Sequence, residues 1–374
     1  MTTNSLKQTA AIGQSIWLDY LHRRALSNGE TAALINDGGV TGITSNPSIF
    51  EKAIGGDELY NVAIERLMNE RPRSAMELYE KLATADIQVA ADLLRSVYER
   101  CHRRDGYVSL EVSPHLAHDG PATIAEAKRL WRLIDRPNIM IKVPGTPAGV
   151  TACEELIAAG LNINVTLLFS VQAYQAIAEA YRRGLSRYAA GGGDLSTVAS
   201  VASFFVSRVD SAIDKLLKKS TPPLSTELIS RLAGHGAIAN AKVAYAHFQE
   251  LITRPEWRAL AAKGAQPQRL LWASTSTKDP AYPELLYAEG LIGPDTVDTM
   301  PPATYQTFRQ HGKVESTLSQ GLPEAKETLT LLASAGISLA AVTDKLLEEG
   351  LVLFQDAFDK LLASVERRRS AFVQ

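Results

Sequence analysis

Two cysteines in 374 residues, Cys101 and Cys153, are too few for a disulfide framework or a cysteine-based zinc site. Their scarcity fits a reducing compartment, and a cytoplasmic location is expected. Charge of one sign is missing too. Thirty-nine basic residues face 41 acidic ones, a formal net charge of −2, which offers no electrostatic reason to bind nucleic acid or an anionic membrane. No run approaches about 18 apolar residues, so no membrane span is expected. The opening stretch MTTNSLKQTA has no apolar core of a signal peptide. Repeats, low-complexity linkers and a credible domain break are absent. The glycines of AGGGDL (190–195) lack the spacing of a phosphate loop. The seven histidines show no paired Ser or Cys nucleophile. His115 and His118, in SPHLAHD, are spaced i, i+3 in a proline-containing loop without an obvious third ligand, so no metal is expected; a Schiff base would supply its own electron sink, so no organic cofactor is expected either.

What is present is an ordinary globular composition, 45% hydrophobic and 21% charged, with enough chain for a large core. Short β-like runs alternate with longer helical stretches. The strands are read near 14–19, 40–46, 107–113, 138–143, 161–169, 197–205, 269–274 and 295–300. Helices lie between them: 74–100, 121–134 with Pro121 in its first turn, and 170–184 with Ser170 as the N-cap and Gly184 as the stop. Eight strands alternating with helices predict an α/β fold, a closed (β/α)8 TIM barrel forming a single domain over residues 1–374. Additional helices are expected after strand six, about 211–265, and at the C-terminus, about 323–374. The latter repeat their apolar residues at helical spacing and are expected to pack on the barrel's outside.

The chemistry is carried by the strands' C-terminal ends, which form the catalytic face in this architecture. Side chains alternate faces along a strand. Asp19 ends strand one opposite Ile16 and Leu18, and Asn46 follows strand two. Glu111 shares a face with Ser109, Lys142 sits in NIMIKVPGT, and Asn164 and Thr166 share a face. Singly, each has a plain reading. An Asp or Asn after a strand commonly caps a helix, and Lys142 can bind a phosphate as a point charge or pair with Glu111. Together they form a set that a packed lumen does not need. A free lysine titrates near pKa ~10.4. Desolvation favours its neutral amine, which attacks carbonyls to give a Schiff base, an electron sink for C–C cleavage. Asp19 and Glu111 are available to move protons, and Asn46, Asn164 and Thr166 to hold hydroxyls of a polyol. Arg208, in SFFVSRVD, is the best-placed cation for a phosphate.

The motifs GITSNPSIF, SLEVSP, IMIKVPGT, NINVTLLFS and SFFVSRVDSAID, in this order, together resemble the transaldolases of the pentose phosphate pathway. The length and extra helices are similar to the longer type found in some bacteria and plants. The resemblance implies a Schiff-base lysine at Lys142 and a general acid/base for C3–C4 cleavage at Asp19. It matches Glu111 and Thr166 to the pair that handles water during carbinolamine dehydration. Asn46 and Asn164 match residues that hydrogen-bond substrate hydroxyls, Ser203 and Arg208 match the phosphate site, and Phe205 matches an aromatic wall. One stretch departs from the family pattern. WASTSTKDP has Ser276 roughly where many transaldolases have a second phosphate-binding arginine, and Lys278 is the nearest cation.

The partners so implied are phosphorylated ketoses and aldoses, with a dihydroxyacetone unit passed between them; a monomer and a homodimer both remain open. Three rivals are retained. A fructose 6-phosphate aldolase would release the dihydroxyacetone. A phosphosugar isomerase or epimerase would use Asp19 and Glu111 as acid and base and Lys142 as a phosphate ligand. A non-catalytic interaction protein would show no turnover.

Overall fold

A computed structural model describes residues 5–372. Eight parallel strands close into one barrel in chain order: β1 Gln14–Asp19, β2 Val40–Thr44, β3 Tyr107–Glu111, β4 Ile139–Pro144, β5 Ile163–Leu168, β6 Ser200–Phe205, β7 Arg269–Ala273 and β8 Thr296–Met300. This is the (β/α)8 barrel expected from the alternation. Each strand is covered on one side by helices and faces the lumen on the other. All residues of β4 to β8 are buried, and such strands read as nearly continuous apolar runs. The first four residues of the polar opening, and the last two of the C-terminal segment, lie outside the described residues.

The covering helices start where their side chains can hold the first free N–H groups. Ser74 and Glu77 form a reciprocal capping box on the helix Ala75–Arg100. Asp119, Thr146 and Ser170 cap the helices Gly120–Ile134, Pro147–Ala158 and Val171–Ala190. The last of these corrects the expected stop at Gly184, because the helix continues to Ala190. A Cβ on Gly184 would stand 2.8 Å from the Glu154 carbonyl oxygen and the Ile157 side chain. The glycine lets two helices touch rather than ending one.

The lumen is filled in layers. Trp17 and Gly42 are register partners on β1 and β2. A Cβ on Gly42 would meet the indole at 2.4 Å, so the missing side chain is the space the tryptophan occupies. Trp17 Nε1 donates to Asp105 at 2.6 Å, and Arg269 donates to Ser15 at 2.7 Å. This network closes the N-terminal end of the barrel and leaves the C-terminal end open.

Four helices follow β6 before β7: Ser207–Lys218, Thr226–Leu232, Gly236–Thr253 and Pro255–Ala261. After β8 come Pro302–His311, Leu322–Ser334 and a 32-residue helix, Leu339–Ser370. The long helix packs on the covering helices outside the lumen and also reaches the open end of the barrel, where Phe354 lines the cavity. Its buried stripe, including Leu351, Phe354 and Phe358, lies against the helices Pro47–Gly56 and Ala75–Arg100. Gly350 abuts Leu167 and Phe169 at the top of β5. Arg368 fastens it by donating to the carbonyls of Gly55 and Asp57, both at 2.9 Å. The tail therefore crosses the open end of the barrel. Among the described residues no single helix is long and apolar enough to cross a membrane.

Gly42→Ala is expected to cost about 1–3 kcal/mol, the usual penalty of overpacking a filled core. Urea unfolding monitored by Trp fluorescence would measure it, and a loss below about 0.5 kcal/mol would show that the lumen layer is not tightly packed.

Candidate active site

The open end of the barrel holds a cavity of about 580 Å³. Lys142 rises into it from β4 and is only 5% exposed. Its ammonium donates to the Ser45 carbonyl oxygen at 2.9 Å and lies 3.0 Å from Glu111 Oε1. Glu111 is its register partner on β3, so pairing follows from strand alignment alone. Apart from this ion pair, both Glu111 oxygens lack a hydrogen-bond partner among the described residues. Burial pushes the Glu111 carboxyl up, and the Lys142 charge opposes that rise.

Asp19 ends β1 and lines the same cavity. Burial raises its carboxyl as well, against a hydrogen bond from Thr44 and the charges of Lys142 and Lys278. Thr44 Oγ1 lies 2.6 Å from Asp19 Oδ1 and 2.7 Å from Thr299 Oγ1. The amine thus sits among two buried carboxyls of different surroundings, one tied to it and one tied to a hydroxyl pair. Environments of that kind divide proton-transfer roles.

Thr166, on β5, lines the cavity, and its hydroxyl has no partner among the described residues. Asn46 also lines it while its side-chain oxygen accepts from Ile49 N at 3.0 Å. The helix-capping reading and the cavity reading therefore hold together for Asn46. Asn164, the register partner of Lys142 on β5, is wholly buried beside the cavity residue Ser203. Its amide donates to Ser109 Oγ at 3.1 Å and accepts from Ser203 Oγ at 2.7 Å. Ser203 and Phe205 reach the cavity from β6.

On the cavity's β6–β7 side stand Arg208, at the start of the helix Ser207–Lys218, and Ser276 and Lys278, in the loop after β7. The Arg208 guanidinium lies 5.5 Å from the centre of the Phe205 ring. Lys278 donates to Ser276 Oγ at 2.6 Å. Neither cation has a carboxylate within ion-pair distance among the described residues. Burial lowers both, and Arg208 lowers Lys278 further. Two half-buried like charges facing one cavity form a site for an anion. His115 instead pairs with Asp359 of the C-terminal helix at 2.8 Å, and no group of three or more metal-ligating side chains occurs among the described residues.

The family model for "Transaldolase/Fructose-6-phosphate aldolase" matches residues 16–365. The chain belongs to this family. It is 47% identical over 373 residues to "Transaldolase 2" of Nostoc sp., covering 98% of both chains. It is 45% identical to the "Transaldolase" of Trichodesmium erythraeum over 98% of both, and 45% identical to "Transaldolase 1" of Streptomyces coelicolor over 98% of this chain and 95% of the other.

In this family member several cavity residues were not apparent from sequence. Thr44 holds Asp19 and Thr299 holds Thr44, but a threonine in a strand is ordinary; only the alternation that puts Thr44 on the lumen face hinted at it. Tyr20 and His22, stacked with ring centres 6.0 Å apart, line the rim beyond β1. Phe354 enters from the C-terminal helix with no local signal.

Because burial raises the Asp19 carboxyl, the folded state binds that proton more tightly than the unfolded one. Its contribution is favourable at low pH and is lost as pH rises through the folded value. Asp19→Asn should therefore stabilise the protein more at pH 7.5 than at pH 4.5, by on the order of 1 kcal/mol. Urea melts at both pH values test this, and an equal or reversed difference refutes it.

Proposed function

We propose that the chain transfers a dihydroxyacetone unit from sedoheptulose 7-phosphate or fructose 6-phosphate to glyceraldehyde 3-phosphate or erythrose 4-phosphate, in the non-oxidative pentose phosphate pathway and in the cytoplasm, through a Schiff base on Lys142. The observation that carries this reading is one buried amine beside a carboxylate, at the floor of a polar cavity with two unpaired cations on its wall.

Lys142 becomes nucleophilic by passing its proton to Glu111, 3.0 Å away. The amine attacks C2 of the ketose to give a carbinolamine. Glu111 returns a proton to the C2 hydroxyl, which departs as water to the Thr166 hydroxyl, leaving the iminium. Asp19, oriented by Thr44, takes the C4 hydroxyl proton. The C4 carbonyl forms, the C3–C4 bond breaks, and its electron pair moves into the iminium to give an enamine. The aldose phosphate leaves, a second one enters, and the steps run in reverse. Asn46 holds a substrate hydroxyl from the cavity wall. Asn164, engaged by Ser109 and Ser203, acts by orienting Ser203. Arg208, Lys278 and Ser276 take the phosphate, so Lys278 fills the place of the missing second arginine. Phe205 backs the Arg208 guanidinium.

The isomerase reading needs Lys142 as a phosphate ligand. Its 5% exposure and its Glu111 partner make it a poor one, while Arg208 and Lys278 supply that function. Release of dihydroxyacetone rather than its transfer is the family's other activity, and the relatives named transaldolase favour transfer.

Borohydride added to the protein with fructose 6-phosphate is expected to trap one adduct, mapped to Lys142 by mass spectrometry and lost in Lys142→Ala. Asp19→Ala should still form the adduct but lower turnover by about 10²–10⁴. Turnover should require erythrose 4-phosphate. Trapping that persists in Lys142→Ala refutes the assignment.

A further inference from the structure

Asp298 lies on β8 and is fully buried. Alternation puts its neighbour Thr299 on the lumen side, where it meets Thr44, and Asp298 on the opposite side, between sheet and helices. There it accepts one hydrogen bond, from Thr275 Oγ1 at 2.8 Å. Its second oxygen has no partner among the described residues, and neither has the indole N–H of Trp272, its register partner on β7. A carboxyl buried with a single partner is a costly choice for a core position. Burial pushes its carboxyl up to about 7, and Thr275 opposes the rise. An apolar residue would serve packing better.

The partner explains the position. Thr275 is itself fully buried and immediately precedes Ser276, three residues before Lys278. The loop leaves β7 through Ser274, a non-glycine residue in the left-handed region at φ +58°. The Ser274 hydroxyl lies 3.0 Å from that of Ser207, and Ser207 N donates to the Ser274 carbonyl oxygen at 3.2 Å. One side of the turn is thereby held to the residue before Arg208. Beyond the turn, Thr277 Oγ1 donates to the carbonyls of Pro283 and Glu284, both at 2.9 Å, within the loop's own return, and Thr275 to Asp298 is the side-chain bond that ties the loop to the barrel sheet. We infer that Asp298 is a positioning residue for the phosphate end of the site, acting through Thr275 to aim Ser276 and Lys278 into the cavity. This rests on the proposed use of Lys142 and of the Arg208–Lys278 wall. It also makes β8 common to both ends of the substrate: Thr299 reaches the hydroxyl that orients Asp19, and Asp298 reaches the loop that meets the phosphate.

The test separates phosphate binding from amine chemistry. In Asp298→Ala and Thr275→Val, the KM for fructose 6-phosphate and the inhibition constant for inorganic phosphate should rise about three- to tenfold, the weight of one net hydrogen bond. The kcat should stay within about twofold. Borohydride trapping of unphosphorylated dihydroxyacetone on Lys142 should proceed at the wild-type rate. Asp298→Asn should behave like wild type, since its amide oxygen still accepts from Thr275. The inference is overturned if inorganic phosphate inhibits the variants as it does wild type. It is equally overturned if dihydroxyacetone trapping falls in step with fructose 6-phosphate turnover, or if Asp298→Asn is as impaired as Asp298→Ala. Should Asp298→Ala fail to fold, Thr275→Val, which keeps the shape and loses the hydroxyl, decides alone. Wild-type protein that forms no adduct with either ketose overturns the Lys142 reading itself, before any variant is compared.

Discussion

An ammonium and a carboxylate 3.0 Å apart in a nearly dry lumen hold each other in a balance on which the rest of the site depends. Taking two charges out of water is costly, and their attraction offsets that cost only while both are present. Moving one proton from Lys142 to Glu111 removes both charges at once, so neither is left buried and alone. In the proposed reaction the nucleophile is made by exchange within the pair. A lysine neutralised by desolvation alone would need no such neighbour. The pairing is set by backbone register, Glu111 against Lys142 across β3 and β4, and it lasts as long as the barrel stays closed.

Asp19 completes the arrangement by being different. Glu111 faces the amine, whereas Asp19 is held by a hydroxyl relay, Thr44 to Thr299, that reaches across β2, β1 and β8. A carboxyl fixed in this way keeps one oxygen for the relay and the other for substrate. Across the cavity, Arg208 and Lys278 repel each other, and Lys278 is also drawn to Asp19. In the proposed reaction an incoming phosphate relieves the repulsion and sets the sugar chain between the cations and the amine. Binding at one end thereby positions bonds at the other.

How much of this could be read beforehand depended on how local each signal was. Strands and their lumen-facing polar residues follow a period of two, so Asp19, Glu111, Lys142 and Thr166 were legible from their own strands. Ser170 was legible as a cap because capping is decided within one turn. Gly184 misled because a glycine inside a helix looks the same in sequence whether it stops the helix or admits a neighbour. Asn164 shares a face with Thr166, but a strand pattern does not tell that its amide is engaged by Ser109 and Ser203 on neighbouring strands. The C-terminal helix was visible as a helix, yet its course over the barrel mouth depends on distant contacts: Gly350 with Leu167, and Arg368 with the Gly55 and Asp57 carbonyls.

That course bears on the chemistry. The enamine left after cleavage survives only if water is kept from it and the next aldose reaches it. The barrel's lower end is shut by Trp17, Asp105 and Arg269, so entry is from the top alone. There Phe354 narrows the cavity, from a helix packed on the one that begins beside Asn46. The same packing that buries the tail's apolar stripe thus shapes the entrance through which both sugars pass. The tail packs on the covering helices and reaches the mouth at Phe354. Its place across the mouth makes a stability element part of the active-site wall.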